Sequence, residues 1–526
     1  MKRNQFILLV IVISSVLTSC VRQEREMCFA DLVKDFDEPS NEFRPVPLWV
    51  WNADMKYSDV DRMLEDFKDK GFGGVFIHPR PGLETEYLGQ EWFDLWEYSL
   101  EKGKELGLDI WIYDENSYPA GFAGGHVPNE MPESYNQGQT LKEDHTTTAP
   151  APGDCYMCLL RKGDEFQDIT SSLADYQGVP GDYYVYRLGS YIAQKWTAGF
   201  PYVDLMVEGV TEKFIDATMR QGYEKHFGKD FGKDIKGMFS DEPSIECPSD
   251  SGCRWTPELF PVFKEMWGYD LSTSWPMLGN RIGDWKKVRH NYNSALLHLF
   301  IERWSRPMYE YCESHNLSWT GHYWEHNWPD MVMGPDNMAM YAWHQIPGVD
   351  PLFNQFNDSG EHLAQFGNVR IVKEARSVSN QMGRIRTLSE SYGCGGWDET
   401  FIDFKRITDW QFALGVNFLN QHLSHTSITG IRKFDCPPVF TSVSPWWESY
   451  GEQNAYYARL SMLLSQGEQR NDWLLIEPTT TAWMHYTHFA GPTKPLMQMG
   501  YAFQSLISDL EKQQMECDLG CEDIIK

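Results

Sequence analysis

Seven short apolar runs, each apolar first and polar last, set the architecture of this 526-residue chain. They are PLWVWN (47–52), GGVFIHPR (73–80), DIWIYDEN (109–116), IKGMFS (235–240), LSWTGHYWEH (317–326), RIRTLSESYG (384–393) and VNFLNQHLSH (416–425). Helical stretches fall between them. In residues 57–71, Val60, Met63, Leu64 and Phe67 recur on one face, Ser58 is the expected N-cap and Gly71 the expected stop. Strands too apolar to face water, alternating with helices, predict consecutive βαβ units and a parallel sheet. With a weak eighth run at PPVF (437–440), the count predicts an α/β fold, a (β/α)8 TIM-like barrel over residues 44–465. A doubly wound sheet is the rival, but no Gly-rich phosphate turn follows the first run.

The rhythm breaks over 117–210, where Pro, Gly and Thr are frequent and CYMCLL and DYYVYRL have hairpin character, predicting an inserted small β region. NDWLLIEP (471–478) and the helical 501–515 open a further α/β segment, 466–526, too short to complete a domain, so either the chain is truncated relative to its relatives or this end packs poorly.

Residues 1–20 precede the fold. Lys2 and Arg3, an apolar run from Phe6 to Leu17 and the tetrapeptide LTSC form a signal peptide that resembles a bacterial lipobox. Cys20 is then the lipidated residue, 21–43 a linker, and the protein is expected to be lipid-anchored in a bacterial cell envelope, its only membrane contact. Export permits disulfides. The close cysteine pairs are Cys155/Cys158, Cys247/Cys253 and Cys517/Cys521; CYMC has the form of a redox or zinc half-site, but no second Cys/His pair at zinc spacing accompanies it, which favours core thiols or a local disulfide. A net charge of −29 repels phosphate backbones and argues against nucleic acid as a partner. The 21 Trp and 26 Tyr suit sugar faces but also suit ordinary cores.

In a parallel barrel, chemistry gathers at the carboxyl ends of the strands. Those ends carry Asn52; His78 and Arg80; Asp114, Glu115 and Asn116; Asp241 and Glu242; His322, Glu325 and His326; Glu390 and Tyr392; Asn420, His422 and His425. Glycoside hydrolysis needs two carboxyl groups across the scissile bond, one protonated and one ionised. Glu242, Glu325 and Glu390 are the catalytic candidates, and crowding among carboxylates raises one proton affinity. An ion pair with Arg80 or Arg386 is the plain structural alternative for Glu242, and a metal-ligand or hydroxyl-binding site is the alternative for Glu325. Glu246 is expected to be a solvated loop carboxylate. Transition-metal hydrolysis is disfavoured, because WVWN lacks a His-x-His pair and HLSH is not a zincin motif. Serine catalysis lacks its Gly-x-Ser-x-Gly elbow.

The stretches PLWVWNADM, GFGGVFIHPRPGLETEYLGQEWFDL, LDIWIYDENSYPAGFAGG, FSDEP, SESYGCGGWDETFIDFKRITDWQFALGVN and GIRKFDCPP together resemble the catalytic barrel of glycoside hydrolase family 106, the α-L-rhamnosidase type, over about residues 44–478. The resemblance implies removal of a terminal sugar from plant polysaccharide by two glutamates, with inversion and Ca²⁺ assistance. It matches Glu242 to the acid and Glu390 to the base, with Glu325 in reserve. His78, Arg80, Asp114, Glu115, His322, Tyr392 and His422 are placed to hold the carbohydrate substrate. A barrel glycosidase of other specificity, such as a β-galactosidase, and a non-catalytic glycan-binding protein are the alternatives. Family members carry further domains after the barrel, so the resemblance also implies that this chain is truncated.

Overall fold

The computed structural model describes residues 27–246, 252–360, 365–486, 489 and 491–526, so the signal peptide and Cys20 lie outside the described residues. Eight parallel strands follow one another along the chain: β1 (Leu48–Trp51), β2 (Gly74–Pro79), β3 (Asp109–Tyr113), β4 (Ile235–Asp241), β5 (Ser318–His322), β6 (Gly348–Val349), β7 (Leu388–Ser391) and β8 (Phe418–Gln421). One sheet runs β5-β4-β3-β2-β1, with the short strand Ser424–His425 beyond β1; a second runs β6-β7-β8. Two joins connect the arcs. Ile346 N–H donates to the Trp319 carbonyl at 3.1 Å, and Val46 N–H donates to the Leu419 carbonyl at 3.0 Å. The chain leaving β8 also pairs with β1 through Trp49 opposite Ser424 and Val50 opposite His425.

Side-chain alternation along the strands sorts the core into two layers. Leu48, Val50, Phe76, Trp111, Tyr113, Phe239, Leu388 and Phe418 form one enclosed cluster, contributed by six of the eight strands. Their neighbours Trp49, Trp51, Val75, Ile77, Ile110, Ile112 and Met238 pack with the helices instead. The helix Tyr57–Asp69 buries Val60, Met63, Leu64 and Phe67, as its period requires. Its N-cap is Lys56, with no side-chain cap, so Ser58 is not the cap; Gly71 (φ +75°) does turn the chain out, where an L side chain is strained.

One expectation is corrected and two regions gain detail. PPVF is not a strand, and β6 lies in the segment before the helix Val369–Gln381; two residues are too few to show as an apolar run. The inserted sheet is five-stranded and antiparallel, and it takes its last strand, Cys253–Arg254, from beyond β4, pairing with Thr140 and Leu141. The C-terminal segment forms a parallel pair, Leu474–Ile476 with Asp518–Gly520, around the helix Lys494–Lys512. It packs on the helix Val369–Gln381: Ser377 Oγ accepts from Leu519 N–H at 2.8 Å, Gln381 Nε2 donates to the Leu519 carbonyl at 2.8 Å, and Leu519 is fully buried.

Candidate active site

At several strand ends, a polar side chain lies two residues beyond an inward-facing apolar one and on the same side. His78 follows Phe76, Tyr113 follows Trp111, Asp241 follows Phe239 and Glu390 follows Leu388. Asp241 and His322 are paired across β4 and β5. His322 Nε2 lies 2.8 Å from Glu390 Oε2 and 3.7 Å from Asp241 Oδ1. His422 Nε2 stands 3.5 Å from Glu390 Oε1, and the Tyr113 hydroxyl donates to Asp241 Oδ2 at 2.5 Å. All of these groups are buried.

The groups divide in charge. For His322, burial opposes the imidazolium, but the hydrogen bond and charge of Glu390, with Asp350 and Asp241, outweigh it and hold the ring protonated well above its ordinary range. For Glu390, burial favours the neutral form and His322 overrides it, leaving a carboxylate with lowered proton affinity. Asp241 is raised to about 6, chiefly by burial, and burial lowers His422 to about 4.

Glu242 closes β4 in a left-handed conformation (φ +47°), its N–H donating to the His322 carbonyl at 3.2 Å and its carbonyl accepting from Trp324 Nε1 at 3.2 Å. Such a backbone is unusual for a residue with a Cβ, and it re-aims the side chain at the strand end. Burial, then the charge of Asp241, raises its carboxyl well above the carboxylate range. The ion-pair alternative does not hold. Arg80 turns to Asp435, and Arg386 donates to the carbonyls of Glu42 and Asn417.

Arg80 is gripped from two sides: Nε and Nη2 donate to Asp435 Oδ2 and Oδ1 at 2.6 and 2.8 Å, and Nη1 contacts His78 Nε2 at 3.0 Å. Asp435 adjoins Cys436, which is disulfide-bonded to Cys394 in the loop after β7. That pairing was not among the close cysteine pairs; of those, Cys155, Cys158, Cys517 and Cys521 form no disulfide. Despite burial, His425 and Arg80 hold the Asp435 carboxyl well below the usual range. Asp435→Asn leaves the buried Arg80 cation without its counter-charge, an expected loss of about 3 kcal/mol. A depressed carboxyl stabilises the fold in full above its unfolded value near about pH 4 and progressively less as pH falls below it. The denaturant-midpoint deficit of the variant is therefore expected to be smaller at about pH 3 than at about pH 7; equal deficits would refute the charge argument.

Several expected site residues serve as supports. Glu325 is fully buried, with Oε2 accepting from the Tyr341 hydroxyl at 2.9 Å and Oε1 from Asp350 N–H at 2.7 Å. Asp114 accepts from Ser240 Oγ, whose neighbour Phe239 is the inward residue of β4. Tyr392 packs among Phe404 and Phe440, its hydroxyl on Thr408. Glu115 accepts five main-chain N–H groups, from Asn116 and from Gly121 to Gly124, at 2.5–3.1 Å. Burial pushes that carboxyl up to about 8, and the five main-chain donors, which favour the ionised form, offset part of that rise. Sequence reasoning missed Asp350 and Asp435. Asp350 directly follows β6, a run of two residues, and Asp435 lies inside GIRKFDCPP.

The family profile described as alpha-L-rhamnosidase of glycoside hydrolase family 106 matches residues 176–521, about two thirds of the chain. The chain belongs to glycoside hydrolase family 106. The match includes Glu242, Glu325 and Glu390 and begins after His78, Arg80, Asp114 and Glu115. A curated Formosa agariphila protein named "Putative beta-glucuronidase" is 21% identical over 554 aligned positions, covering 91% of this chain and 45% of the relative. The structure of a rhamnosidase from Novosphingobium sp. PP1Y superposes with a TM-score of 0.60 at 15% identity, covering 85% of this chain and 61% of that one. A cold-adapted beta-galactosidase from Rahnella sp. R3 gives 0.55 at 13% identity, over 90% and 64%. The family 106 chain thus spans under half of its curated relative and under two thirds of these two solved enzymes. At these identities the solved neighbours bear on fold alone, and the fold is that of glycoside hydrolase barrels.

Proposed function

We propose that the strand-end cluster hydrolyses the bond to a terminal sugar of the α-L-rhamnose class in plant-type polysaccharide or oligosaccharide, at the mouth of a (β/α)8 barrel, with inversion. The observation that carries this is the split between two buried glutamates: Glu242 is raised into the protonated range and Glu390 is held ionised by His322. Two carboxyl groups driven apart in proton affinity are the acid and the base such a hydrolysis needs. Glu242 delivers its proton to the leaving oxygen. Glu390 takes one from the attacking water, and the water's oxygen forms the new bond at the anomeric carbon as the old bond breaks. His322 and His422 orient Glu390, and Arg80 with His78 borders the sugar. The Cys394–Cys436 bond supports the reading of an exported protein, since disulfides persist in oxidising compartments.

The same cluster has the donors for the Ca²⁺ that the family resemblance implied. Asp350 and Glu390 offer carboxylate oxygens within 4.8 Å of one another beside His322, whose protonated ring has no lone pair to give, and Asp350 Oδ1 is buried with no hydrogen-bond partner among the described residues. Hard carboxylate oxygens suit that ion, and Asp350 with one Glu390 oxygen would hold it. Bound there, it would offset carboxylate repulsion and hold sugar hydroxyls; no step above depends on it.

Assay of sugar release from α-L-rhamnosyl, β-galactosyl and β-glucuronosyl oligosaccharides, with NMR of the first-formed anomer, tests the reading. Rhamnose of inverted configuration is expected. Galactose or glucuronic acid as the sole product would move the sugar assignment, and no release from any substrate would sink the hydrolase. On the same protein, Ca²⁺ is expected to raise the melting temperature, and Asp350→Asn to abolish that rise; an unchanged melting temperature removes the ion.

A further inference from the structure

Beside the candidate acid lies a cavity of about 340 Å³ whose walls include none of the strand-end cluster. Four parts of the chain build it. Tyr118 comes from the loop after β3, Tyr191, Trp196 and Tyr202 come from the region following the inserted sheet, and Glu246 and Trp324 come from the loops after β4 and β5. Trp196 and Tyr118 meet edge to face, with ring centroids 5.2 Å apart, and Trp196 Nε1 donates to the Tyr118 carbonyl at 2.5 Å. On its other side Tyr118 lies under the Arg80 guanidinium, 5.7 Å from the ring centroid. Tyr118 therefore stands between the barrel mouth and the inserted region.

The cavity is tied to Glu242 at the main chain. Trp324, in its wall, donates its indole N–H to the Glu242 carbonyl at 3.2 Å, and Glu246 is four residues further along the same loop. Glu246 is not a free loop carboxylate: its Oε2 accepts from the Tyr191 hydroxyl at 3.4 Å. Among the described residues, no Lys, Arg or His lines this space, and Glu246 is its one ionisable acid.

These facts fix what fits. An acid that protonates the leaving oxygen must face the group that departs with that oxygen, so the space beside Glu242 belongs to the leaving side. Aromatic walls take the C–H face of a sugar ring, while a carboxylate and hydroxyls take its hydroxyl edge. A wall with one acid and no base leaves a second carboxylate unpaired and repelled. We propose that this cavity is the binding site for the leaving-side sugar of the glycan, and that it selects a neutral pyranose over a uronic acid; the proposal rests on Glu242 being the acid. The inserted region then supplies specificity to a barrel that carries the chemistry.

Trp196→Ala tests it on three substrates with one terminal sugar: p-nitrophenyl α-L-rhamnoside, α-L-rhamnosyl-glucose and α-L-rhamnosyl-galacturonic acid. If the panel above identifies another sugar, that sugar replaces rhamnose throughout. Wild type is expected to prefer the glucose disaccharide to the galacturonic one by about tenfold or more in kcat/KM. In Trp196→Ala the loss on the glucose disaccharide, mainly in KM, is expected to exceed the loss on the aryl glycoside by about tenfold or more. Ile192→Ala, 73% exposed in the same segment and outside the cavity, serves as the control for folding. Equal losses on disaccharide and aryl glycoside, or a preference for the uronic acid, would overturn the proposal. Calorimetric titration of the glucose disaccharide into Glu390→Gln and into Glu390→Gln/Trp196→Ala reads the site without turnover, and equal affinities would also overturn it. A wild type that cleaves nothing defeats the hydrolase reading; a wild type that cleaves with Trp196 immaterial defeats only this one.

Discussion

Glu390→Gln is expected to lower kcat by about 10²–10⁴-fold on every substrate, aryl glycosides included, with KM little changed. Glutamine keeps the volume and can still bond His322 across the 2.8 Å contact, so the fold has no reason to change. What disappears is the charge that, in the proposed mechanism, accepts the water's proton. The same substitution removes the largest influence holding His322 protonated, so the ring's proton affinity falls as well. Sugar release by purified wild type and variant, with matched melting temperatures, checks this. Retention of the full rate would remove Glu390 from the chemistry.

Glu242→Gln should behave differently, and the difference identifies the acid. On oligosaccharides, whose leaving alkoxide needs a proton, a loss of about 10²–10⁴-fold is expected. On p-nitrophenyl glycosides, whose leaving group departs as a stable anion, the loss should be far smaller. The pH profile supplies a second signature. An acid with raised proton affinity works while protonated, so the wild-type rate should fall as pH rises through that raised value. The variant should lack that alkaline limb. A loss of equal size on both substrate classes, with the limb intact, would show that Glu242 is not the donor.

Much of this arrangement was legible in the chain because strands have a period of two. Phe76 and His78, Phe239 and Asp241, and Leu388 and Glu390 are apolar–polar pairs on one parity, and parity decides which side of a strand faces the shared interior. Applied strictly, the same rule moves Asp114 off the mouth, because Tyr113 is the inward residue of β3. Merely following an apolar run does not reveal whether a carboxylate faces substrate or backbone. Glu115 and Glu325 satisfy their own loops, and nothing in DIWIYDEN or HYWEHN distinguishes that use from binding sugar. Asp350 was hidden because β6 is two residues long, below what an apolar pattern can register. Asp435 was hidden for another reason. Its role comes from tertiary closure, in which the loop after β8 reaches back to Arg80 after β2, 355 residues earlier.

The five amides gathered by Glu115 bear on entropy. A loop of nine residues that would otherwise sample many shapes is tied down by one buried side chain before any ligand arrives. In the proposed leaving-side site, Tyr118, carried on that loop, would meet the glycan as a fixed ledge. Binding there orders little that is not already ordered, so most of the contact energy appears as affinity. The corresponding drawback is intolerance, because a glycan whose branch points clash with the ledge finds no compliant wall to move aside.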